Sequence, residues 1–296
     1  MMGKQLSAFP ITPCGPDGRV DEAGLRGLLA PLREAEVDSI GLLGSTGTYA
    51  YLSREERRRA LEIAVDKVGG RVPVLVGVGA LRTDETVRLA RDAKAVGATA
   101  GLLAPVSYTP LTDDEVFEHF SVVARESGLP LVIYDNPGTT HFSFGPELVA
   151  RVSRLPGVIA MKSPAPAASA VAAHVERLRQ AVPEGFSVGC SGDWHVTEAL
   201  IGGADAWYSV AAGLFPKVCL AIVRAAERGE AEEARRLDAA LEPLWVLFRE
   251  YSSLRVVYAA AAILGLTEAE PPHPILPLPQ AVRERIAETL RDLALS

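Results

Sequence analysis

Lys162 is the residue whose type and position offer the most chemistry in this sequence. It ends the apolar run 158–161, and a Ser-Pro pair follows it. Only five of the 296 residues are lysines, against 25 arginines. An arginine stays protonated and cannot form an imine, whereas a desolvated lysine amine is a nucleophile. The position therefore favours covalent chemistry on a carbonyl compound, and the alternative is a lysine that extends to solvent from a strand end.

Hydroxyl, phenol and glycine residues follow other apolar runs. A Gly-Ser-Thr-Gly turn occupies residues 44–47, and Tyr134 ends the run 130–134. The turn's glycines let backbone N–H groups approach an anion, and Ser45 and Thr46 add hydroxyls. A tyrosine hydroxyl can transfer protons. With Lys162, this set predicts imine chemistry on a carboxylate-bearing ketone, and the alternatives are an ordinary turn and a core aromatic with a solvated hydroxyl.

The sequence contains no evident metal-binding cluster. Asp135 and Asn136 follow the fifth apolar run, but no histidine or carboxylate cluster joins them, so we predict no metal site. We expect His141 and His195 to lie in loops, solvated or hydrogen-bonded. The three cysteines are far apart and form no CxxC pair, which argues against a disulfide framework or a zinc site.

Bulk properties exclude several classes of protein. The net charge of -7 provides no basic footprint for nucleic acid. The apolar runs are too short to span a membrane, and the first residues lack the apolar segment of a signal peptide. The apolar fraction of 48% is ordinary for a globular protein with a full core. We therefore expect a cytoplasmic protein, which also suits the unpaired cysteines.

Eight apolar runs recur at intervals of roughly 25–35 residues, and helical patterns follow them. Most are continuously apolar, as strands buried on both faces should be. The predicted strands are 5–10, 39–44, 72–78, 98–104, 130–134, 158–162, 186–190 and 206–210. This order predicts an α/β fold, a (β/α)8 TIM barrel over residues 1–228. A doubly wound open sheet is the alternative, and the lack of a GxGxxG turn after the first strand weakens it.

The sequence after residue 216 is helical. Amphipathic patterns predict helices over 217–228, 230–250, 252–264 and 279–295. The first completes the barrel, and the other three form a C-terminal helical extension over 229–296. The carboxyl ends of barrel strands share one face, where the chemistry of such folds occurs. Lys162, Tyr134 and the 44–47 turn should therefore meet.

Several motifs, in their order and spacing, resemble the dihydrodipicolinate synthase / N-acetylneuraminate lyase superfamily of class I pyruvate-dependent aldolases. They are the turn 44–47, the helix start 52–57, the segment 76–79, Tyr134 with Pro137, Lys162, and the Ser-Gly-Asp segment 191–193. The similarity covers nearly the whole chain. It implies a carbon–carbon lyase that acts on pyruvate or a related 2-oxo acid and on an aldehyde. It also implies a homotetramer built as a dimer of dimers.

The resemblance also implies roles for individual residues. Lys162 would form the imine, so no metal or organic cofactor would be needed, and Tyr134 would be the general acid and base. Ser45 and Tyr108 would complete the catalytic set, Tyr108 as a proton-relay residue contributed across the dimer interface. The substrate-binding residues would be Thr46, Gly47, Thr139, Gly192 and Tyr208.

Three positions depart from the superfamily pattern. Thr139 replaces an arginine that meets the aldehyde's carboxylate, and Thr48 replaces a glutamate. The relay tyrosine's position holds Ser107, with Tyr108 next to it. These departures argue against lysine biosynthesis. The residues expected at the distal end of the pocket favour a neutral, hydroxylated or apolar acceptor over a second carboxylate; they are Thr139, Thr140, His141, Trp194 and Tyr208. Alternatives are a 2-keto-3-deoxy sugar acid dehydratase or aldolase, a phosphate-binding isomerase that uses the 44–47 turn, and a non-catalytic metabolite-binding barrel.

Overall fold

Eight parallel strands close into a barrel in chain order. The computed structural model describes residues 3–295. Strand β1 pairs with both β2 and β8, so the sheet has no free edge. The strands are β1 (Gln5–Ala8), β2 (Ser39–Leu42), β3 (Val74–Gly77), β4 (Ala100–Leu103), β5 (Leu131–Tyr134), β6 (Val158–Pro164), β7 (Ser187–Ser191) and β8 (Ala206–Ser209). The TIM-barrel prediction is confirmed, and the doubly wound sheet is excluded.

Helices cover the barrel and continue beyond it. They are α1 (Glu22–Glu34), α2 (Arg54–Val68), α3 (Thr83–Val96), α4 (Asp113–Ser127), α5 (Pro137–Thr140), α6 (Pro146–Val152), α7 (Ala168–Ala181), α8 (Val196–Ile201), α9 (Pro216–Glu227), α10 (Ala231–Ala240), α11 (Glu242–Tyr251), α12 (Ser253–Ile263) and α13 (Gln280–Asp292). Within residues 3–295, no helix is both long enough and apolar enough to cross a lipid bilayer.

The prediction of one helix over 230–250 is wrong. Two helices, α10 and α11, occupy this stretch and meet at Leu241. Pro243 lies in the first turn of α11, where its missing N–H costs no hydrogen bond. In the interior of a continuous helix, the same proline would remove a hydrogen bond and clash with the preceding turn. The extension therefore contains four helices rather than the predicted three.

Side-chain caps explain where two of the barrel helices begin. The Thr112 hydroxyl accepts a hydrogen bond from the Glu115 N–H, and the Glu115 carboxylate accepts one from the Thr112 N–H, which forms a complete capping box at α4. The Ser53 hydroxyl accepts a hydrogen bond from the Glu56 N–H at the start of α2. These contacts satisfy N–H groups that have no partner within the helix.

The barrel interior is packed with side chains of mixed size. Phe9 lies in it beside Tyr134 and Tyr208, and small alanines fill the remaining space. The Phe9 ring occupies the volume that a side chain at Gly41 would need, and a Cβ at Gly44 would lie 2.7 Å from the same ring. Glycine at both positions therefore lets an aromatic ring pack against β2 and the turn after it. The interior is a closed core below the carboxyl end of the strands.

Candidate active site

Lys162 lies inside the carboxyl end of the barrel. It is near the end of β6, in register with Tyr134 on β5 and with Gly189 on β7. Its side chain is only 7% exposed. The amine Nζ is 4.1 Å from the centre of the Tyr134 ring and 5.5 Å from the centre of the Phe9 ring. The amine is thus enclosed by aromatic rings at the end of the barrel where barrel enzymes carry out their chemistry.

Tyr134 is buried beside this amine. Its hydroxyl donates a hydrogen bond of 3.0 Å to the Oγ of Ser45. Burial by itself disfavours the phenolate, but the positive charge of Lys162 and hydrogen bonds with Ser45 outweigh burial and lower the pKa of Tyr134 below its ordinary value of 10.0. A phenol with a lowered pKa transfers its proton more readily near neutral pH.

Asn136 is a member of the site that the sequence prediction missed. Its Nδ2 donates to the Oγ of Ser45 at 3.0 Å and to the Oη of Tyr134 at 3.2 Å. Alternation along an extended chain places residues 134 and 136 on the same side, which is the signal that could have identified it. The sequence analysis considered Asn136 only as a metal ligand. The structure places it in a hydrogen-bonded triangle with Tyr134 and Ser45.

The 44–47 turn joins β2 to a short 3-10 helix at Tyr49–Tyr51. The N–H of Thr48 donates to the carbonyl of Ser45 at 3.1 Å. Thr46 and Gly47 are buried, whereas Ser45 is half-buried and turns its hydroxyl to Tyr134. A Cβ at Gly47 would lie 2.9 Å from the backbone of Leu43. The tight turn therefore requires glycine at 47 and leaves the Ser45 hydroxyl in contact with Tyr134.

Tyr208 lies on β8, deeper in the barrel. Its ring meets Phe9 edge to face, with the ring centres 6.0 Å apart. It also fills the volume that a side chain at Gly189 would need. Burial raises the pKa of Tyr208 well above its ordinary value. The side chain thus belongs to the core of the barrel, and its ionisation is suppressed there.

Asp193 supports the loops that follow β7 and β8. It follows Gly192, whose φ of 92° is in the left-handed region. Its buried carboxylate accepts hydrogen bonds from Trp207 Nε1 at 2.9 Å and from the N–H groups of Ala211 at 2.8 Å and Val210 at 3.3 Å. Burial raises the pKa of Asp193, and these hydrogen bonds partly oppose the rise. The carboxylate therefore holds the two loops together.

Two predicted site residues do not join this cluster. Tyr108 is 96% exposed, so its ring makes almost no contact with the rest of the chain. The single chain therefore does not place Tyr108 beside Tyr134, because the loop after β4 directs this side chain into solvent. Thr139 is also exposed, on the short helix α5, and its hydroxyl donates to the carbonyl of Asn136 at 3.3 Å.

Asp135 adds a buried carboxyl next to β6, the strand that carries Lys162. Its N–H donates to the carbonyl of Lys162 at 3.0 Å. Burial raises its pKa from 3.8 to about 6. A hydrogen bond from the Phe144 N–H and the charge of Lys162 both lower this pKa but do not outweigh burial. One of its oxygens, Oδ1, has no hydrogen-bond partner within residues 3–295. This group therefore titrates closer to neutrality than an ordinary aspartate.

Comparison with known proteins agrees with the barrel fold. The sequence model of the dihydrodipicolinate synthetase family matches residues 2–293. The 4-hydroxy-tetrahydrodipicolinate synthase of Alcanivorax borkumensis is 33% identical over 286 residues, which cover 96% of both chains. The crystal structure of dihydrodipicolinate synthase from Agrobacterium tumefaciens is 55% identical, with a TM-score of 0.96 and 98% coverage of both chains.

A further crystal structure is of the chloride-inhibited dihydrodipicolinate synthase from Acinetobacter baumannii complexed with pyruvate. It is 26% identical to this chain, with a TM-score of 0.90 and complete (100%) coverage of both chains. Fold, sequence motifs and the family match agree along almost the entire length. The chain belongs to the dihydrodipicolinate synthetase family.

Proposed function

We propose that this protein is a class I aldolase that forms an imine between Lys162 and pyruvate or a related 2-oxo acid. It then makes or breaks a carbon–carbon bond next to the imine. One observation supports this most strongly. The Lys162 amine lies 4.1 Å from the centre of the Tyr134 ring, and the Tyr134 hydroxyl is hydrogen-bonded to Ser45 in the 44–47 turn. The pyruvate complex of the Acinetobacter baumannii relative supports the same substrate.

The reaction follows from these groups. The neutral amine attacks the keto carbon, a C–N bond forms, and the carbonyl π electrons move to oxygen. Tyr134 gives one proton to that oxygen, and the attacking nitrogen loses a proton that Tyr134 relays to the same oxygen. The nitrogen lone pair then forms the C=N bond as water leaves. The Tyr134 phenolate takes a proton from the adjacent methyl group, and the iminium accepts the electron pair left behind, which gives an enamine. The enamine attacks an aldehyde carbon, and Tyr134 returns the proton to the aldehyde oxygen. Hydrolysis of the new imine by water releases product and lysine.

The iminium itself is the electron sink, so we propose that the reaction uses no metal or organic cofactor. The substrate carboxylate would be bound by the N–H and hydroxyl groups of Ser45 and Thr46, with Gly47 allowing close approach. The loop that carries Thr139 and the backbone near Gly192 and Tyr208 would line the rest of the pocket. The relatives named as 4-hydroxy-tetrahydrodipicolinate and dihydrodipicolinate synthases support carbon–carbon bond chemistry over the dehydratase alternative.

The acceptor is proposed to be an aldehyde whose far end is not a carboxylate. Thr139 offers a neutral hydroxyl where the superfamily pattern has an arginine, so a second carboxylate would lack a guanidinium partner there. We also propose that the protein is cytoplasmic and forms a homotetramer. A screen of aldehydes with pyruvate, compared by kcat/KM, tests the acceptor. A strong preference for a dicarboxylic product would contradict this part of the proposal.

Reduction with sodium borohydride in the presence of pyruvate tests the central step. We expect intact mass and peptide mapping to locate one reduced pyruvyl adduct on Lys162. Lys162→Ala should lose both the adduct and turnover while circular dichroism stays unchanged. Lys217→Ala, an exposed lysine on α9, is the matched control and should keep both. Full activity in Lys162→Ala, or no adduct in the folded wild type, would overturn the proposal.

A further inference from the structure

We propose that Asn136 is a positioning residue for the phenol of Tyr134. It would hold the phenol oxygen in place and stabilise its deprotonated form. The inference rests on the proposed imine chemistry and names a further residue of the same site. Asn136 is the only asparagine in the 296 residues.

The geometry brings three polar atoms together. The separation is 3.0 Å from Tyr134 Oη to Ser45 Oγ, 3.0 Å from Asn136 Nδ2 to Ser45 Oγ, and 3.2 Å from Asn136 Nδ2 to Tyr134 Oη. The phenol donates its proton to Ser45 and accepts one from the amide. A phenol oxygen has one donor and two acceptor positions, so one position remains for the substrate. The hydroxyl proton turns from Ser45 to this position when Tyr134 donates to the substrate.

The backbone of Asn136 is fixed independently of its side chain. Its carbonyl accepts hydrogen bonds from the N–H groups of Thr139 and Thr140, both at 3.0 Å. These bonds begin α5, whose first residue is Pro137. Any residue at 136 can supply this carbonyl, so a side-chain substitution should leave α5 in place. The amide is thereby free to serve the phenol rather than the loop.

The chemistry suits a donor at this place. When Tyr134 gives its proton to the substrate oxygen, the phenolate gains charge next to the amide N–H. A hydrogen bond to the charged form of a group favours that form. The amide does not itself exchange a proton in the reaction, so it orients and stabilises the phenol without replacing it.

The test compares Asn136→Ala and Asn136→Asp with wild type. We expect Asn136→Ala to lower kcat by about 10- to 100-fold, the effect of one hydrogen bond to a charged group. The ionisation of Tyr134 should move to higher pH in this variant. Tyrosinate absorbance measures this ionisation, and the Tyr134→Phe variant gives the baseline. Asn136→Asp should move the ionisation further, because a carboxylate repels the phenolate. Gln180→Ala, an exposed amide on α7, is the matched control.

Borohydride trapping separates this inference from the proposed function. If wild type forms the Lys162 adduct while Asn136→Ala keeps full kcat and an unchanged Tyr134 ionisation, the inference is wrong and the proposed function stands. Absence of the adduct in wild type would overturn the proposed function itself.

Discussion

At the scale of single residues, the site depends on opposed influences on Tyr134. Burial disfavours its phenolate, whereas Lys162 and Ser45 favour it, and the second group of effects prevails. A phenol that simply packed in a core would show the opposite result, as Tyr208 does on β8, where burial dominates. Both tyrosines are buried, so burial does not explain why their pKa values shift in opposite directions. The difference comes from their neighbours, which suit Tyr134 for proton transfer and leave Tyr208 as a core aromatic.

Ser45→Ala is expected to raise the pKa of Tyr134, because it removes a hydrogen bond that favours the phenolate. The tyrosinate absorbance due to Tyr134 is the part that disappears in Tyr134→Phe. In Ser45→Ala this absorbance should develop at higher pH than in wild type. We expect kcat to fall by about tenfold or more, the usual weight of a hydrogen bond to a charged group. An unchanged tyrosinate titration would show that Ser45 does not act on the phenol.

Asp135→Asn is expected to stabilise the protein near neutral pH. The pKa of Asp135 is about 6 in the folded chain, against an ordinary value of 3.8. Between these values the folded chain holds a proton that the unfolded chain has lost, so stability falls as pH rises through this window. The variant should gain up to about 3 kcal/mol above the window and little below it. Urea unfolding of both proteins across the window checks this, and a pH-independent difference would contradict it.

At the scale of elements, the ends of β2 and β3 shape the turn that contacts Tyr134. Leu43 follows β2 with a φ of 54°, in the left-handed region. Its carbonyl oxygen occupies the volume that a Cβ at Gly77 would need. The buried guanidinium of Arg57 on α2 donates to the Gly77 carbonyl at 2.8 Å. The turn is therefore held by β3 and α2 as well as by its own sequence.

Gly77→Ala is expected to displace the Leu43 carbonyl and with it the 44–47 turn. The new methyl group meets backbone atoms that cannot rotate away, so we expect a loss of about 1–3 kcal/mol or more in the free energy of unfolding. Turnover should fall as well, because Ser45 moves with the turn. Gly27→Ala on the exposed face of α1 is the control, and it should be neutral or stabilising. Equal stability of the two variants would refute the account.

At the scale of the whole molecule, the helical extension completes the core of the barrel. Its side chains include the fully buried Trp245 and Phe248. From α12, the Tyr258 hydroxyl donates to the carbonyl of Thr12, close to the 44–47 turn, at 3.4 Å. We expect a chain shortened to residues 1–228 to expose apolar surface and bind a hydrophobic dye. A shortened chain that unfolds cooperatively and binds no dye would support an independent barrel domain instead.

The proposed homotetramer makes a prediction about exposed apolar side chains. Leu81 and Tyr108 follow β3 and β4 and are 66% and 96% exposed in the single chain. Large exposed apolar groups at neighbouring loops are typical of a subunit contact. Sedimentation should show a tetramer for wild type and smaller species for Leu81→Asp with unchanged circular dichroism. A wild type that sediments as a 31.4 kDa monomer would contradict the proposal.

Much of the fold was predictable from the sequence. Every predicted strand overlaps an observed one to within two residues at each end, because runs buried on both faces are continuously apolar and end at polar or glycine residues. The same rule placed Lys162 and Tyr134 at strand ends. The break at Leu241 was missed because the apolar periodicity continues through it, although Pro243 was a local sign of a new helix.

The sequence by itself determined which elements form and which residues stand at their ends, since both depend on local periodicity and side-chain chemistry. Only the tertiary structure decided which of those residues touch. Asn136 and Tyr134 reach a serine 91 and 89 positions earlier in the chain, whereas Tyr108 turns to solvent. Such contacts arise from closure of the barrel, which brings distant strand ends within hydrogen-bond distance, and a local pattern carries no measure of that distance.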